Sequence, residues 1–337
     1  MLLPFLSQPI HVRMLSPQIA NLVAYYFNVL MAYGIGAQSS TWSENIYLKS
    51  NKQISEKYPT LVTPSGYAFA IWGLIFLLEA ISVCWQFTLL TEEEVHTHGH
   101  GRIPFLFSSG SYYWVMTCVL QCLWTLAFGW DLIFISTGLM LGLLHSVYHT
   151  YHENLFALHN LPSADLVSEG YAYFWAALPF AVHASWVVVA AIVQVNIFVV
   201  ARKASSNVQM ALALISLGVL LLLGAVSAGS LMGSIGFAKT TSALSGIHIG
   251  SRMTLLVVLL WAARAIEQFD ADLKGVAASV KKRDDRNDEE ARVQLTPLSR
   301  LQTIILQKFK GVVFRCLLGA FLGNVVLLMV KYYQLLN

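Results

Sequence analysis

The sequence predicts an all-α fold, a polytopic bundle of transmembrane helices. Hydrophobic residues make up 56% of the 337 residues and charged residues only 12%, whereas soluble domains carry about a quarter charged residues. The apolar residues are concentrated in repeated stretches of about 20 residues, the length at which a helix spans the hydrocarbon core. The alternating segments of about ten residues that are typical of a membrane β-barrel are not visible in the sequence.

The bundle is expected to contain about eight spans. The first is the weakest, because Asn21 and Asn28 lie within it. The third and fourth are joined by a tight turn with the sequence FGWD. The predicted spans are residues 16–37, 64–90, 111–129, 131–153, 171–201, 207–229, 240–266 and 302–333.

The second span begins with the stretch TPSGYAFAIWG. Thr63 can cap the helix, and Pro64 can occupy its first turn, where a missing N–H does no harm. Tyr67, Phe69 and Trp72 then place three aromatic rings within two turns of the membrane interface. These rings form either an interfacial aromatic belt or the wall of a pocket for a flat apolar ligand.

Basic residues are distributed unequally between the two sides of the predicted bundle. If both termini lie on one side, the loops and termini of that side hold four Lys and Arg residues, and the opposite side holds fifteen. The positive-inside rule assigns the richer side to the cytoplasm, stroma or matrix. The termini are therefore expected on the non-cytoplasmic side, opposite residues 267–300.

Residues 267–300 form the longest predicted soluble segment, a charged loop too short and too polar to build a core of its own. Its run KKRDDRNDEE mixes both signs of charge. This run is either a solvated linker or helix end, or a docking surface for a partner. The formal net charge of +3 is small and indicates no nucleic-acid partner.

Four ionisable residues lie within predicted spans: Glu79, His183, Arg252 and Arg315. Each is costly in lipid and is expected to face the bundle interior or to find a partner. They form either a polar substrate path or charge pairs between helices. We expect Glu79 to be paired with one of the other three.

His145, His149 and His152 share one helix face near the end of the fourth span. Such a row could hold a metal or ligate a haem or chlorophyll, or it could be a polar helix end at the headgroup level. No carboxylate or cysteine completes the set, so no metal site is predicted. Since catalytic motifs such as a nucleophile elbow, a P-loop or a dinucleotide fingerprint are also missing from the sequence, the protein is not expected to be an enzyme.

Three successive stretches carry Trp, Pro and small residues at fixed spacing. The stretch YPTLVTPSGYAFAIWGLIFLLEA resembles the second helix of the tryptophan-rich sensory proteins, the TspO/MBR family that includes the translocator protein. The stretch LQCLWTLAFGW resembles the family's Asn-x-x-Trp…Phe helix, with Trp124 and Phe128 matching. The stretch LPFAVHASWVVVAAIVQVN resembles its Pro…Trp…Ala…Asn helix, with Pro179, Trp186 and Ala190 matching.

Two positions depart from the family pattern. Gln121 and Gln194 stand where the family usually has Asn, so an amide is kept but lengthened. The resemblance covers about residues 20–200. It implies a TspO-like bundle with a five-helix core in residues 1–203, followed by three additional spans in residues 204–337.

The resemblance also implies a pocket among the first five helices for a tetrapyrrole (haem, porphyrin or chlorophyll) or a sterol-like lipid. The protein would bind, carry or sense this flat ligand without catalysis, with membrane lipids as its other partners. In the opposing interpretation, the tryptophans only pack helix against helix. The residues that the resemblance and the polar pattern assign to the pocket are Tyr67, Phe69, Trp72, Gln121, Trp124, Phe128, Pro179, His183, Trp186 and Gln194.

A second class of function remains open from the sequence. The chain could be a non-catalytic accessory or structural subunit of a large respiratory or photosynthetic complex, with lipid or pigment in the pocket. The three additional spans and the charged segment 267–300 would then supply docking surface. The membrane in that case is an organellar inner membrane or a thylakoid.

Overall fold

The computed structural model describes residues 9–36, 48–87, 109–159, 173–236, 246–283 and 300–336. Within these ranges the chain forms helices and turns without any strand, which confirms the predicted all-α fold. The α-helices are α1 (Pro9–Met31), α2 (Asn51–Lys57), α3 (Ile71–Trp85), α4 (Ser109–Gly129), α5 (Ile133–His159), α6 (Leu178–Ala201), α7 (Ser206–Gly236), α8 (Gly246–Arg283) and α9 (Arg300–Leu336).

Eight of these helices are long and correspond to the eight predicted spans. Seven of them, α3 (together with the helical turn from Gly66 that precedes it) to α9, are long and apolar enough to cross a membrane. The eighth, α1, is less apolar but packs against α3 and α4 within the bundle. The protein is therefore an integral, multi-pass membrane protein.

The polar residues of α1 form a buried seam instead of breaking the helix. Gln18, Asn21 and Asn28 are fully buried. Asn21 Nδ2 donates to Gln86 Oε1 at 3.1 Å, and Asn28 Nδ2 donates to Gln121 Oε1 at 3.2 Å. The exposed side of α1 is apolar. The low hydropathy of this span thus reflects a polar face that points into the bundle. Amides on such a face form hydrogen bonds between membrane helices and help to specify their packing.

The short helix α2 is fixed to the turn between α4 and α5. Ser50 and Gln53 form a reciprocal capping box at its start. Lys49 and Lys57 both donate to Asp131, whose φ of 65° puts the turn in the left-handed region. Burial raises the pKa of Asp131, but the bonds from the two lysines outweigh it, so the pKa is lowered. The bond to Asp131 in turn raises the pKa of Lys57.

The second span does not begin as the sequence predicts. Thr63 does not cap the helix, because its Oγ1 accepts a hydrogen bond from the backbone N–H of Thr60 at 3.1 Å. A 3-10 helix, Gly66–Ala70, precedes α3 instead. The backbone N–H of Ser65 donates to the carbonyl oxygen of Ala265 on α8 at 3.0 Å, so this entry segment is held against α8.

The prediction of a loop beginning at residue 267 is wrong for residues 267–283, since α8 continues to Arg283. Ala, Glu, Lys and Leu are frequent in this stretch and favour helix even after the hydropathy falls. With 38 residues, α8 is about 57 Å long at 1.5 Å per residue, whereas the hydrocarbon core is about 30 Å thick. The rest of the segment, residues 284–299, lies outside the described residues.

The largest cluster of buried apolar side chains joins both halves of the chain. It brings Trp186 of α6 together with Leu217 of α7, Leu259 of α8 and Leu317 of α9. The core is therefore continuous across the predicted domain boundary between residues 203 and 204.

Replacing Gly250 by Ala should destabilise the protein. A Cβ at this position would lie 2.5 Å from Cε1 of Tyr173, whose ring is buried and whose hydroxyl is hydrogen-bonded to Thr254. We expect a loss of about 1–3 kcal/mol from overpacking, measured by thermal unfolding in detergent micelles. Gly229 is the matched control, because nothing lies within 4 Å of its Cβ position and Ala favours helix. Equal melting temperatures for the two variants would contradict this account.

Replacing Asp131 by Asn should release α2 from the turn between α4 and α5. Asn tolerates a positive φ but removes the charge, and we expect a loss of at most about 1 kcal/mol because the lysines are solvent-exposed. A lowered folded-state pKa gives stability above the ordinary Asp pKa of about 4, and that stability is lost as the pH falls through the folded-state value. The melting-temperature difference between parent and variant should therefore shrink in acid. A difference as large at pH 2 as at pH 7 would refute the assignment.

Candidate functional site

One face of α6 carries a row of residues that points into the bundle. Pro179 stands in the first turn of α6, where it costs no hydrogen bond. From there, His183, Trp186, Ala190 and Gln194 recur every three or four residues and so share one face of the helix. The pattern of the third resembling stretch is thus a single stripe on α6.

A second row lies on the entry to the second span and continues on α3. Phe69 belongs to the 3-10 helix, which has three residues per turn, so Phe69 and Trp72 point the same way. Phe76 and Glu79 continue this row at helical spacing on α3. The rows on α3 and α6 face one another, as the ring contacts between them show.

An aromatic cavity lies where these two rows meet α4 and α5. Its volume is about 50 Å³. Three tryptophans from three helices contribute to its wall, and α2 supplies two polar residues. The lining residues are Asn51, Ser55, Pro64, Phe69, Trp72, Trp124, Phe128, Met140, Trp186, Val189, Ala190, Val193, Gln194 and Ile197.

The rings around the cavity have defined geometry. Trp124 and Phe128 on α4 stack at 5.1 Å between centroids with an interplanar angle of 16°. Trp186 is contacted edge-on by Phe69 at 6.2 Å and by Trp72 at 6.5 Å. Edge-to-face and offset-stacked pairs are the favourable arrangements of aromatic rings. The cavity therefore has fixed aromatic surfaces that could contact a flat ligand.

Gln194 holds one of these rings in place. Its Oε1 accepts a hydrogen bond from Trp124 Nε1 at 3.4 Å, and its Nε2 donates to Ser136 Oγ at 3.0 Å and Thr137 Oγ1 at 3.2 Å. The amide lines the cavity, but both of its N–H groups are engaged with α5. Its effect on a ligand would come mainly through the orientation of Trp124.

Trp186 offers a donor that the sequence reasoning missed. Its Nε1 is buried and has no hydrogen-bond partner among the described residues, while its ring lines the cavity. A buried indole N–H normally finds a partner. No sequence signal distinguishes this tryptophan from Trp124, whose N–H is satisfied. By contrast, the polar lining residues Asn51 and Ser55 belong to α2, whose capping box is visible in the sequence.

Four residues assigned to the pocket do not line this cavity: Tyr67, Gln121, Pro179 and His183. Tyr67 lies off the face shared by Phe69 and Trp72 and contacts Trp261 of α8 edge-on at 5.2 Å. Gln121 is 2% exposed and bonded to Asn28, so it joins α4 to α1. Pro179, at the start of α6, is buried.

Glu79 is paired as the sequence predicts, and its partner is His183. The two side chains are fully buried, and Glu79 Oε1 lies 2.6 Å from His183 Nδ1. His183 contacts the edge of Trp72 at 5.7 Å between ring centroids. The pair therefore lies next to the cavity wall but behind Trp72, and His183 itself is not a lining residue.

The two arginines have other surroundings. The backbone carbonyl of Arg252 accepts a hydrogen bond from Ser227 at 3.0 Å, which joins α7 to α8. The guanidinium of Arg315 approaches Gly311, and so does the carboxylate of Glu267, each within 3.4 Å of the position of a Gly311 Cβ. The arginines thus belong to contacts among α7, α8 and α9 and not to the cavity.

The histidine row on α5 forms a stack of rings. His149 lies between His145, at 4.4 Å between centroids, and Tyr113 of α4, which stacks on it at 4.8 Å. His152 contacts Tyr148. Among the residues that the structure describes, no group of three or more His, Cys, Asp or Glu could hold a metal ion.

Replacing only one member of the buried pair should destabilise the protein much more than replacing both. His183→Leu leaves the Glu79 carboxylate buried without its partner, and we expect a loss of about 3–5 kcal/mol. The double variant Glu79→Leu/His183→Leu should recover a large part of this loss, since apolar replacement of a whole buried pair is often tolerated. Denaturant unfolding in micelles measures both. A double variant as unstable as the single one would show that the two residues do not act as a pair.

Comparison with known proteins extends the resemblance beyond the first five spans. The family of TSPO-like proteins matches residues 18–272, a range that begins in α1 and ends within α8. It includes the whole cavity, the Glu79–His183 pair and two of the three spans beyond residue 203. No curated protein and no solved structure matches the chain significantly. The match covers well over half of the chain, and the protein therefore belongs to the family of TSPO-like proteins.

Proposed function

We propose that the protein binds a flat hydrophobic ligand, a tetrapyrrole or a sterol-like lipid, in the aromatic cavity. It would carry or sense this ligand without catalysing a reaction. The observation that carries the proposal is that Trp72, Trp124 and Trp186, from three different helices, line one cavity. A set of tryptophans that only packed helices together would not need to leave open space between them.

The chemistry of the lining suits this class of ligand. Ligand pockets are mostly apolar with a few placed polar groups. Here the lining includes Trp186, whose buried N–H has no partner among the described residues, and the polar residues Asn51 and Ser55 of α2. A flat ligand with one polar edge would place its rings against Trp124 and Phe128 and its polar atoms near these groups. Ring contacts add about 0.5–1.5 kcal/mol each beyond area burial.

A second function is favoured by a separate observation, the length of α8 and α9. These helices have 38 and 37 residues, so each exceeds the roughly 20 residues needed to span the core. Beyond its apolar span, which ends at Phe269, α8 continues to Arg283 through a sequence that contains both acidic and basic residues. An accessory subunit of a respiratory or photosynthetic complex would use this end of α8, residues 270–283, for docking to another subunit. In both proposals the end of α8, residues 270–283, lies on the cytoplasmic, stromal or matrix side. The termini lie on the opposite side of the membrane.

Native purification separates the two functions. The ligand-binding function predicts a single protein that carries a tetrapyrrole absorbance band or a stoichiometric sterol-like lipid. The subunit function predicts stoichiometric copurification with other membrane subunits of one complex. Deletion of residues 270–283 at the end of α8 should then abolish that association.

Replacing cavity tryptophans by Leu should weaken tetrapyrrole binding. We expect Trp124→Leu and Trp186→Leu to raise the Kd for protoporphyrin IX about three- to tenfold each, since each removes one ring contact. Quenching of protein fluorescence and the porphyrin's own emission, in lipid nanodiscs, measure the change.

Trp114→Leu is the matched control for this experiment. Trp114 is a fully buried tryptophan on α4 that packs against Phe180 and does not line the cavity. Its replacement should affect stability without a selective effect on the Kd. If the parent protein binds neither protoporphyrin nor a sterol, the tryptophans are packing residues and the ligand proposal fails. The same follows if all three variants bind the ligand as tightly as the parent protein does.

A further inference from the structure

Two arginines, Arg264 and Arg315, lie close together at one end of the bundle. Arg264 stands five residues before Phe269, where the apolar span of α8 ends, which is about 7 Å along the helix. On α9, the guanidinium of Arg315 and the carboxylate of Glu267 both lie within 3.4 Å of the Cβ position of Gly311. Both arginines are exposed at the outer surface of the bundle, and in a membrane that surface is covered by lipid.

One carboxylate serves both arginines. Arg264 Nη1 donates to Glu267 Oε2 at 2.7 Å, and the same guanidinium lies 5.4 Å from the ring centroid of Phe314. Arg264 is thus held by a carboxylate and by an aromatic ring. Among the described residues, Arg315 has no carboxylate of its own within ion-pair distance. The two arginines and Glu267 together carry a net charge of +1 inside the spans.

A third cation lies on the same face of α9. Lys308, Gly311 and Arg315 recur at helical spacing, and Lys308 is exposed and nearer to the start of α9. Because Gly311 has no side chain, the carboxylate and the guanidinium can lie against the backbone of α9. Lys310 is buried and is not counted here. The basic cluster, with a net charge of +2, consists of Arg264, Lys308, Arg315 and Glu267.

The position of the basic cluster determines what can neutralise it. A charged side chain that meets acyl chains inside a span is costly, and long basic side chains relieve this cost by reaching toward the headgroups. At that level the abundant anion is the lipid phosphate. A guanidinium binds phosphate oxygens with two parallel hydrogen bonds, and basic pockets between membrane helices recognise anionic headgroups in this way.

An apolar row on α9 continues inward from the basic cluster. Val312, Leu322 and Val326 are exposed, and they recur with Arg315 at intervals of three, four or seven residues, so they share its face. This row could contact the acyl chains of a lipid whose headgroup lies at the arginines. The surface therefore combines a cationic end with an apolar track, which matches a phospholipid better than a free anion.

We propose that the basic cluster between α8 and α9 is a binding site for an anionic phospholipid, whose phosphate lies between Arg264 and Arg315. Lys308 interacts with the outer part of the headgroup, and the acyl chains lie along the apolar row of α9. A zwitterionic lipid fits less well, because its ammonium group would lie among the cations. The site is separate from the aromatic cavity, and the inference does not depend on the ligand of that cavity.

Native mass spectrometry of the full-length protein in micelles tests the proposal by counting bound lipids. Dioleoylphosphatidylglycerol and dioleoylphosphatidylcholine have the same chains and one phosphate each, but only the first has a net negative charge. The Kd of the first bound phosphatidylglycerol should be at least about fivefold lower, which corresponds to the contribution of one basic residue near the surface. Millimolar inorganic phosphate should not displace it, since it lacks the apolar contacts.

Two variants with opposite expected effects assign the site. Arg315→Gln removes one cation and should raise the Kd for phosphatidylglycerol about fivefold. Glu267→Gln removes the only acidic member of the basic cluster and should lower that Kd by a similar factor, because the net charge rises. Lys331→Gln is the matched control, since it removes one positive charge near the opposite end of α9 and should leave the Kd unchanged. None of the three should change the Kd for phosphatidylcholine.

Several outcomes would overturn the proposal. Equal Kd values for the two lipids in the parent protein would show that the site does not select an anionic lipid. A Kd for phosphatidylglycerol that does not rise in Arg315→Gln, or does not fall in Glu267→Gln, would place the lipid elsewhere. An equal effect of Lys331→Gln would mean that the lipid responds only to overall charge. Displacement by inorganic phosphate would show that the site takes free phosphate instead of a lipid.

Discussion

The buried, hydrogen-bonded pair of Glu79 and His183 is the constraint on which the site depends. It joins α3 to α6, the two helices that carry Trp72 and Trp186, and it does so at a depth where neither side chain is exposed. A buried pair stabilises a fold only if its geometry is good, because each partner alone would be very costly in a dry bundle. The pair therefore fixes the relative position of the two helices, and with it the distance between the tryptophans above it.

Polar side chains at other helix contacts extend the same principle. Helices in a membrane gain little from hydrophobic burial against one another, so amides and hydroxyls at their interfaces help to specify packing. Gln194 joins α6 to α5 and holds the Trp124 indole. Asn28 joins α1 to Gln121 of α4. These contacts between helices hold the side chains that line the cavity in place.

Much of the fold could be predicted from the sequence, because hydropathy and span length report directly on a membrane environment. The motif residues Trp72, Trp124 and Trp186 do share a cavity, and the partner of Glu79 is one of the three that the sequence offered. The role of Gln121 could not be predicted, since it depends on α1, whose buried amides make it look like a poor span. Tyr67 was assigned to the pocket with the other aromatic residues at the entry to the second span. The 3-10 turn there, which carries no clear sequence signal, places it against Trp261 instead. The end of α8 was missed because hydropathy reports the membrane boundary and not the helix boundary.

The most direct test of this account is the exchange of the His183 ring proton in bilayers, observed by nitrogen-15 magnetic resonance and assigned with the His183→Leu variant. A dry pair predicts an Nδ1 proton that is strongly deshielded, exchanges slowly with water and moves upfield in Glu79→Gln. A His183 proton that exchanges quickly with water, or that does not respond to the change at Glu79, would mean that the pair is hydrated and does not hold α3 against α6.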